Sequence, residues 1–125
     1  MKDVKVLIVE DDAIISMDIE QRVKKAGCSV TGVVDRAEKV YLKVKEERPD
    51  IVLMDINIKG DSDGVAVAEK LLSEYDIHVI YITAYSDMSM RDRALKTDPI
   101  GYLIKPIRET ELLEMLEFAF KKLKK

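Results

Sequence analysis

The sequence has one cysteine, one histidine and no tryptophan among 125 residues. A lone Cys28 excludes an internal disulfide and a cysteine-cluster metal site. No apolar stretch approaches the roughly 18 residues that span a bilayer, and nothing at the N-terminus resembles a signal peptide. Lys and Arg total 21 against 24 Asp and Glu, so the net charge of -3 attracts neither nucleic acid nor anionic membrane. The sequence predicts a cytoplasmic protein that contacts neither directly.

Short apolar segments alternate with helical patterns along the chain. Continuous apolar runs, typical of strands covered on both faces of a parallel sheet, occupy residues 4–9, 51–54, 78–83 and 101–104. Residues 29–34 form a weaker strand that suits a sheet edge. Five strands alternating with five helices predict an α/β fold with a parallel sheet and right-handed crossovers.

The predicted helices carry apolar residues at the 3.6-residue spacing. The four stripes are Ile15, Ile19, Val23 and Ala26; Ala37, Val40 and Val44; Val65, Ala68, Leu72 and Tyr75; and Leu112, Leu116, Ala119 and Leu123. Gly27 predicts the end of the first helix, and Asp35 with Glu38 predicts a capping box for the second. Residues 86–96 predict a short, loosely held helix whose core candidates are Met90, Ala94 and Leu95.

Polar residues end the predicted strands at one edge of the sheet. They are Glu10, Asp11 and Asp12 after the first strand, Asp55 after the third, Thr83 and Ala84 after the fourth, and Lys105 and Pro106 after the fifth. In open α/β sheets, ligands bind beyond the carboxyl ends of the strands. We therefore expect these residues to converge on one site.

This combination of groups favours phosphoryl chemistry. Three nearby carboxylates repel one another unless a cation compensates them, and Mg²⁺ suits a site with few protein oxygens. A hydroxyl at Thr83 and an ammonium at Lys105 would orient a phosphoryl group that a carboxylate attacks. Each residue alone has an ordinary structural explanation, such as Asp12 capping the first helix. The four strand ends together favour the functional interpretation.

Four motifs carry a family resemblance. Over essentially its whole length the chain resembles the receiver domain of two-component response regulators, through "VLIVEDD", "DIVLMDINI", "YITAYSD" and "GYLIKP". The resemblance implies one domain over residues 1–125 and a flavodoxin-like fold with strand order 2-1-3-4-5. It also implies that Asp55 accepts a phosphoryl group from the phosphohistidine of a sensor histidine kinase or histidine phosphotransfer protein in a phosphorelay.

The resemblance implies a role in metal binding for four residues. Glu10 and Asp11 correspond to an acidic pair for Mg²⁺, with Asp11 as a direct ligand and Glu10 acting through water. Asp55 and the backbone carbonyl of Asn57 complete the protein ligands. We therefore expect Mg²⁺ as the cofactor.

The resemblance also implies a switch. Thr83 corresponds to a hydroxyl that turns toward the phosphoryl group, and Lys105 to a salt-bridging lysine before a cis peptide to Pro106. Ala84 keeps the phosphoryl approach open, and Tyr102 corresponds to an aromatic that moves inward on activation. An edge-strand tyrosine without this function is the alternative. The switch would alter the face of the fourth helix, fifth strand and last helix, which binds a downstream protein or supports a phosphorylation-dependent homodimer.

Two departures from the family pattern stand out. The loop after Asp55 has Lys59 and Gly60 and is one residue longer than usual, and Asp98 precedes a proline where small residues are common. The longer loop bears on the shape of the active-site rim and on the dephosphorylation rate, to which Asn57 and Tyr85 also contribute. Both resemble receivers linked to sensory histidine kinases, so the chain is free-standing or one domain of a longer protein.

Three functions are compatible with these residues. The favoured one is a phosphoacceptor switch that is no enzyme and promotes only its own phosphorylation and dephosphorylation. An Asp-nucleophile phosphohydrolase of the haloacid dehalogenase type is the alternative, because "DIN" at residues 55–57 partly resembles its D-x-D signature. Asn57, in place of the second aspartate, argues against it. An inactive pseudo-receiver is disfavoured because no residue of the set is missing.

Overall fold

A computed structural model describes residues 3–58, 60, 62–84 and 90–123. Within them the chain forms five strands and five helices that alternate as predicted. The strands are β1 Lys5–Val9, β2 Ser29–Val34, β3 Ile51–Asp55, β4 Val79–Thr83 and β5 Gly101–Ile104. The helices are α1 Ala13–Lys25, α2 Ala37–Glu46, α3 Gly64–Tyr75, α4 Arg91–Leu95 and α5 Glu109–Leu123. No helix in the described ranges combines the length and apolar character needed to cross a membrane.

All strand pairs are parallel, and the strands lie in the order β2-β1-β3-β4-β5. The weaker strand β2 is at an edge, as its mixed composition predicted. Every side chain of β3 and β4 is buried, which explains their continuous apolar sequence. Because the strands are parallel, the residues that follow them meet at the same edge of the sheet.

Two apolar clusters cover the two faces of the sheet. Helices α2, α3 and α4 contribute to one cluster, with Val40, Val65 and Ala94 among its members. Helices α1 and α5 contribute to the other, which contains Ile19 and Leu116. Side chains alternate between these clusters along each inner strand, as the two-residue period of a strand requires. The carboxyl edge of the sheet is therefore held between two packed layers.

Helix α1 begins and ends as the sequence predicted. The Asp12 carboxylate accepts hydrogen bonds from the backbone amides of Ile14 and Ile15, at 2.9 and 3.0 Å. An N-cap of this kind contributes about 1 kcal/mol to helix stability. Gly27 follows the last turn with φ 96°, a left-handed conformation that glycine adopts without strain.

The predicted capping box of α2 is wrong. Arg36 occupies the N-cap position and makes no side-chain cap. The Asp35 carboxylate instead pairs with Arg36 Nε at 3.1 Å and Lys39 Nζ at 3.4 Å. These two cations hold the pKa of Asp35 below its usual value. Neighbouring charges thus outcompeted the helix amides for this carboxylate.

Several predicted core residues are more exposed than expected. Leu123, in the last turn of α5, is 48% exposed, because the core side of that helix ends at Ala119. Leu95 is 51% exposed, because its neighbour Ala94 takes the core-facing side of α4. Residues 86–89 of the predicted fourth helix lie outside the described residues. In α3, Val67 and Leu71 are fully buried, whereas the predicted Leu72 and Tyr75 are only partly buried.

Candidate functional site

Three carboxylates converge at the carboxyl edge of the sheet. One oxygen each from Glu10, Asp11 and Asp55 lie within 4.8 Å of one another. Glu10 follows β1 and Asp55 ends β3, and these neighbouring strands pair Val9 with Met54. Glu10 and Asp55 are each only 2% exposed, whereas Asp11 is partly exposed. The structure therefore brings together the acidic residues that the sequence placed at two strand ends.

Lys105 is the cation next to these carboxylates. Its Nζ lies 2.8 Å from Glu10 Oε1 and 3.3 Å from Asp55 Oδ2, and its side chain is 23% exposed. Burial alone would lower the pKa of Lys105, but the carboxylates of Glu10 and Asp55 outweigh it and raise this pKa. Its peptide bond to Pro106 is cis, as the family resemblance implied. The site thus holds a charged lysine that spans two carboxylates.

The two oxygens of the Glu10 carboxylate have different partners among the described residues. Its Oε2 accepts from the backbone amide of Asp12 at 3.0 Å. Its Oε1 is buried and lies 2.8 Å from Lys105 Nζ, its ion-pair partner among the described residues. Burial raises the pKa of Glu10, and the contact with Lys105 offsets this only in part. A buried carboxylate in this state is under-compensated.

The donor set fits a hard divalent cation. Among the described residues, three carboxylates face one ammonium, which leaves an excess of negative charge in a largely buried site. The three acidic side chains offer carboxylate oxygens, the kind of ligand that Mg²⁺ prefers. The Asn57 backbone amide donates to Asp55 Oδ1 at 3.0 Å, which holds the loop after β3 beside the carboxylates. The residues present are therefore compatible with Mg²⁺.

Thr83 ends β4 and is almost fully buried. Ile82 pairs with Asp55 in the sheet, so Thr83 lies one residue beyond the acidic strand end. Its hydroxyl donates to the carbonyl of Ala84 at 3.1 Å. Ala84 is partly exposed and presents only a methyl group at this point. Tyr85 and Lys59, both singled out in the sequence, lie outside the described residues.

Tyr102 packs inward from β5. Its ring stacks on Tyr81 of β4, with centroids 5.5 Å apart and an interplanar angle of 25°. The guanidinium carbon of Arg91 lies 5.7 Å from the centre of the Tyr102 ring. The Tyr102 hydroxyl is buried and has no hydrogen-bond partner among the described residues. Tyr102 is therefore half-buried, with its polar end enclosed.

Sequence reasoning missed three contacts around α4 and α3. The Tyr81 hydroxyl lies 2.7 Å from Thr97 Oγ1, in the interior. Arg93 pairs with Asp63 at 2.9 Å, and Asp63 also caps α3 by accepting from Ala66 N at 2.8 Å. A tyrosine between the aliphatic residues Ile80 and Ile82 was the available signal for the first contact. The Arg93 contact joins residues 30 apart, and no local pattern marks it.

The profile of the response regulator receiver domain matches residues 6–117. The chain belongs to this family. The receiver domain is 28% identical over 115 residues to the transcriptional regulatory protein PdtaR of Mycobacterium tuberculosis, a match that covers 92% of this chain and 56% of PdtaR. It is 30% identical over 112 residues to the chemotaxis protein CheY of Thermotoga maritima, covering 90% of this chain and 93% of CheY.

A solved structure confirms the flavodoxin-like fold. The signal receiver domain of a modulated diguanylate cyclase from Desulfovibrio desulfuricans G20 is 35% identical, with a TM-score of 0.89 over 98% of both chains. The receiver domain spans 56% of PdtaR and 43% of the regulator PhyR of Methylorubrum extorquens, about half of each of these relatives. A link to sensory histidine kinases stays a prediction.

Proposed function

We propose that this receiver domain is a phosphorylation-controlled signalling switch with Asp55 as its phosphoacceptor. The observation that carries the proposal is the setting of Asp55: a buried carboxylate at the end of the central strand, grouped with Glu10 and Asp11 and 3.3 Å from the Lys105 ammonium. Residues 1–125 act as one receiver domain that promotes only its own phosphorylation and dephosphorylation.

The transfer is a nucleophilic displacement at phosphorus. An Asp55 carboxylate oxygen attacks the phosphoryl group of a phosphohistidine, the phosphorus–nitrogen bond breaks, and the imidazole leaves with the electron pair. Lys105 is placed to hold a phosphoryl oxygen, since its Nζ already lies beside Asp55 Oδ2. Glu10, Asp11, Asp55 and the Asn57 backbone carbonyl would hold Mg²⁺, which when bound supplies positive charge for the phosphoryl oxygens. Ala84 leaves the approach unobstructed.

The switch begins at Thr83. Within the described part of the chain its hydroxyl bonds to the adjacent Ala84 carbonyl, a contact it can exchange for a phosphoryl oxygen. The new charge and acceptors at Asp55 draw this hydroxyl toward the site. Tyr102 then adjusts in the space next to Tyr81, where its ring is stacked.

A groove next to the site supports a protein phosphodonor. It has a volume of about 620 Å³ and is lined by Ile14, Ile15, Asp18, Ile19, Arg22, Lys105, Pro106 and Ile107. Ile14 at its rim is 80% exposed. An apolar surface that adjoins the reactive lysine suits the helices of a histidine kinase or phosphotransfer protein better than a small phosphate compound. We place the donor's phosphohistidine above Asp55 from this side.

The face of α4, β5 and α5 is proposed as the output surface. A groove of about 310 Å³ there is lined by Ile100, Tyr102, Leu103, Glu111, Glu114, Met115 and Phe118. Phe118 is 48% exposed. Because Tyr102 lines this groove and also stacks on the inner strand β4, its movement would change the shape of the groove. A downstream protein partner would read that change.

The test is covalent phosphorylation. The receiver domain is incubated with Mg²⁺ and acetyl phosphate, and intact and peptide masses are recorded. We expect a single, lasting phosphoryl group on Asp55 that requires Mg²⁺ and is absent in Asp55→Asn. Asp50→Asn, at an exposed position, is the control and should be phosphorylated normally.

Other results would support other functions. Rapid turnover of acetyl phosphate without an accumulating adduct would indicate a phosphohydrolase. No adduct under any condition would indicate a pseudo-receiver that acts only by binding. Transfer from a phosphorylated histidine kinase domain, followed in the same way, tests the proposed class of donor.

A further inference from the structure

Tyr81 is the bulkiest fully buried side chain in the described part of the receiver domain, and its hydroxyl begins a chain of hydrogen bonds. Tyr81 Oη lies 2.7 Å from Thr97 Oγ1. Thr97 Oγ1 donates in turn to the Ala94 carbonyl at 2.6 Å. Because the threonine proton is used in that second bond, the Tyr81 hydroxyl must be the donor in the first. The chain therefore runs in one direction, from β4 to the last turn of α4.

Tyr81 also contacts the proposed switch. It lies two residues before Thr83 on β4, so the two side chains face the same side of the sheet. Its ring stacks on Tyr102, which pairs with it in the sheet. Burial raises the pKa of Tyr81 to about 12, although its bond to Thr97 offsets part of this effect. The phenol therefore stays protonated and able to donate at neutral pH.

The series of hydrogen bonds from Tyr81 ends at the last turn of α4, which is the better anchored part of this short helix. Ala94 is the one fully buried residue among Arg91–Leu95, and its carbonyl also accepts from the Thr97 backbone amide at 3.0 Å. Thr97 is itself 2% exposed. Two donors from Thr97 thus fix the last turn of α4, and the Tyr81 hydroxyl fixes Thr97 to β4. A shift of α4 along the sheet must stretch this connection.

We propose that the Tyr81–Thr97 hydrogen bond is a lock that holds α4 in its unphosphorylated position and weakens when Asp55 is phosphorylated. The proposal rests on the proposed function and describes the regulation of the same site. Bonds of 2.6 and 2.7 Å tolerate little displacement, since a hydrogen bond is essentially lost by about 3.6 Å. A movement of α4 by about 1 Å relative to β4 would therefore break the lock. Tyr81 touches neither the carboxylates nor the phosphoryl group, so it is a positioning residue.

Reciprocity gives the lock a measurable consequence. If the bond is stronger in the unphosphorylated arrangement, it opposes every ligand that favours the phosphorylated one. Removing it should tighten binding of a phosphoryl mimic by about fivefold, which is the worth of one ordinary hydrogen bond. A bond with only a structural role would lower the melting temperature and leave this affinity unchanged.

The experiment compares matched variants. Tyr81→Phe and Thr97→Val each remove one hydroxyl and keep the shape of the side chain, and Thr97→Ser keeps the hydroxyl. The affinity of each variant for beryllium fluoride, a phosphoryl mimic, is measured by calorimetry with saturating Mg²⁺. We expect Tyr81→Phe, Thr97→Val and the double variant to bind about fivefold tighter, all by the same factor. Thr97→Ser should match the wild type, as should Tyr41→Phe, which removes a hydroxyl outside this chain of bonds.

The outcomes separate the lock from the proposed function. If the wild type takes up neither beryllium fluoride nor a phosphoryl group, the proposed function is overturned and the lock with it. If the wild type binds the mimic, and Tyr81→Phe or Thr97→Val binds it no tighter, the lock alone is overturned. Fully additive gains in the double variant would also overturn it, because they would show that the two hydroxyls do not act through one bond.

Discussion

Gly64 and Asp55 lie so close together that a Cβ atom on Gly64 would overlap the carbonyl oxygen of Asp55. The same atom would lie 2.8 Å from the Cα of Ile56. The Gly64 amide donates to the Ile56 carbonyl at 2.8 Å, which fixes the first turn of α3 against the end of β3. The backbone that carries the proposed phosphoacceptor is thus in contact with a residue that has no side chain.

Gly64→Ala should displace the Asp55 peptide. We expect a loss of about 1–3 kcal/mol in the free energy of unfolding, the usual cost of overpacking a buried site. Phosphorylation of Asp55 should also slow. Urea unfolding and a time course with acetyl phosphate measure both effects. Gly32→Ala is the control, because its added Cβ would meet only the flexible side chain of Lys43, at 3.1 Å. Equal losses at the two positions would contradict the argument.

Lys105→Met should leave Glu10 and Asp55 buried without their cation. Breaking a buried ion pair on one side costs about 3 kcal/mol, and we expect a loss of this size in unfolding experiments with EDTA at neutral pH. The loss should shrink with saturating Mg²⁺. The loss should also shrink on acidification. Because its pKa is raised, Glu10 takes up a proton at a higher pH than an ordinary glutamate, and the buried negative charge is then removed. Lys24→Met, which breaks only an exposed pair with Glu20, should cost less than about 1 kcal/mol.

The Arg93–Asp63 pair should give a stability contribution that depends on pH. Burial would raise the pKa of Asp63, but the Arg93 guanidinium and the Ala66 amide outweigh it and lower this pKa. A lowered carboxyl pKa contributes stability above the unfolded value of 3.8, and this stability is lost as the pH falls through the folded value.

Arg93→Gln should therefore cost about 0.5–1 kcal/mol at pH 7, a modest value because the pair is partly exposed. The difference from the wild type should disappear well below pH 3.8, as followed by urea unfolding across pH. Asp63→Asn keeps an N-cap acceptor and should show the same loss at neutral pH. A loss independent of pH would show that the ion pair is not its source.

Tyr102→Phe should cost little or no stability. The hydroxyl it removes is buried without a hydrogen-bond partner among the described residues, and deleting such a group is neutral or stabilising by up to about 1 kcal/mol. The stacked ring on Tyr81 is retained. Tyr81→Phe removes a hydroxyl that is bonded to Thr97 and should instead cost about 1 kcal/mol. Thermal unfolding of the two variants side by side measures this difference in stability. Equal losses of stability in both variants would contradict the prediction.

The fold followed from the sequence because its signals are local and repeated. Continuous apolar strands such as Ile51–Asp55 predict burial on both faces, and Gly27 and Asp12 mark the ends of α1 through their own backbone and side chain. The predicted cap at Asp35 failed because Arg36 and Lys39 compete for the same carboxylate. Propensity rules do not include such competition.

The site was predictable to the extent that strand ends define it. Parallel strands bring Glu10, Asp55 and Lys105 to one edge whatever the loops do, and the structure places them in contact. The Tyr81–Thr97 bond was not predictable, because the position of Thr97 depends on how α4 packs and not on any spacing in the chain. Contacts between a strand and a distant short helix need the three-dimensional structure.

The order of the strands also sets a length requirement for one side chain. Neighbouring strands lie about 4.8 Å apart, so β5 runs about 10 Å from β3, with β4 between them. Lys105 follows β5, yet its Nζ reaches Asp55 at the end of β3 and Glu10 beyond it. Only a long, flexible side chain with its charge at the tip can cross an intervening strand in this way. The strand order thus sets the side-chain length that position 105 needs, and lysine is long enough.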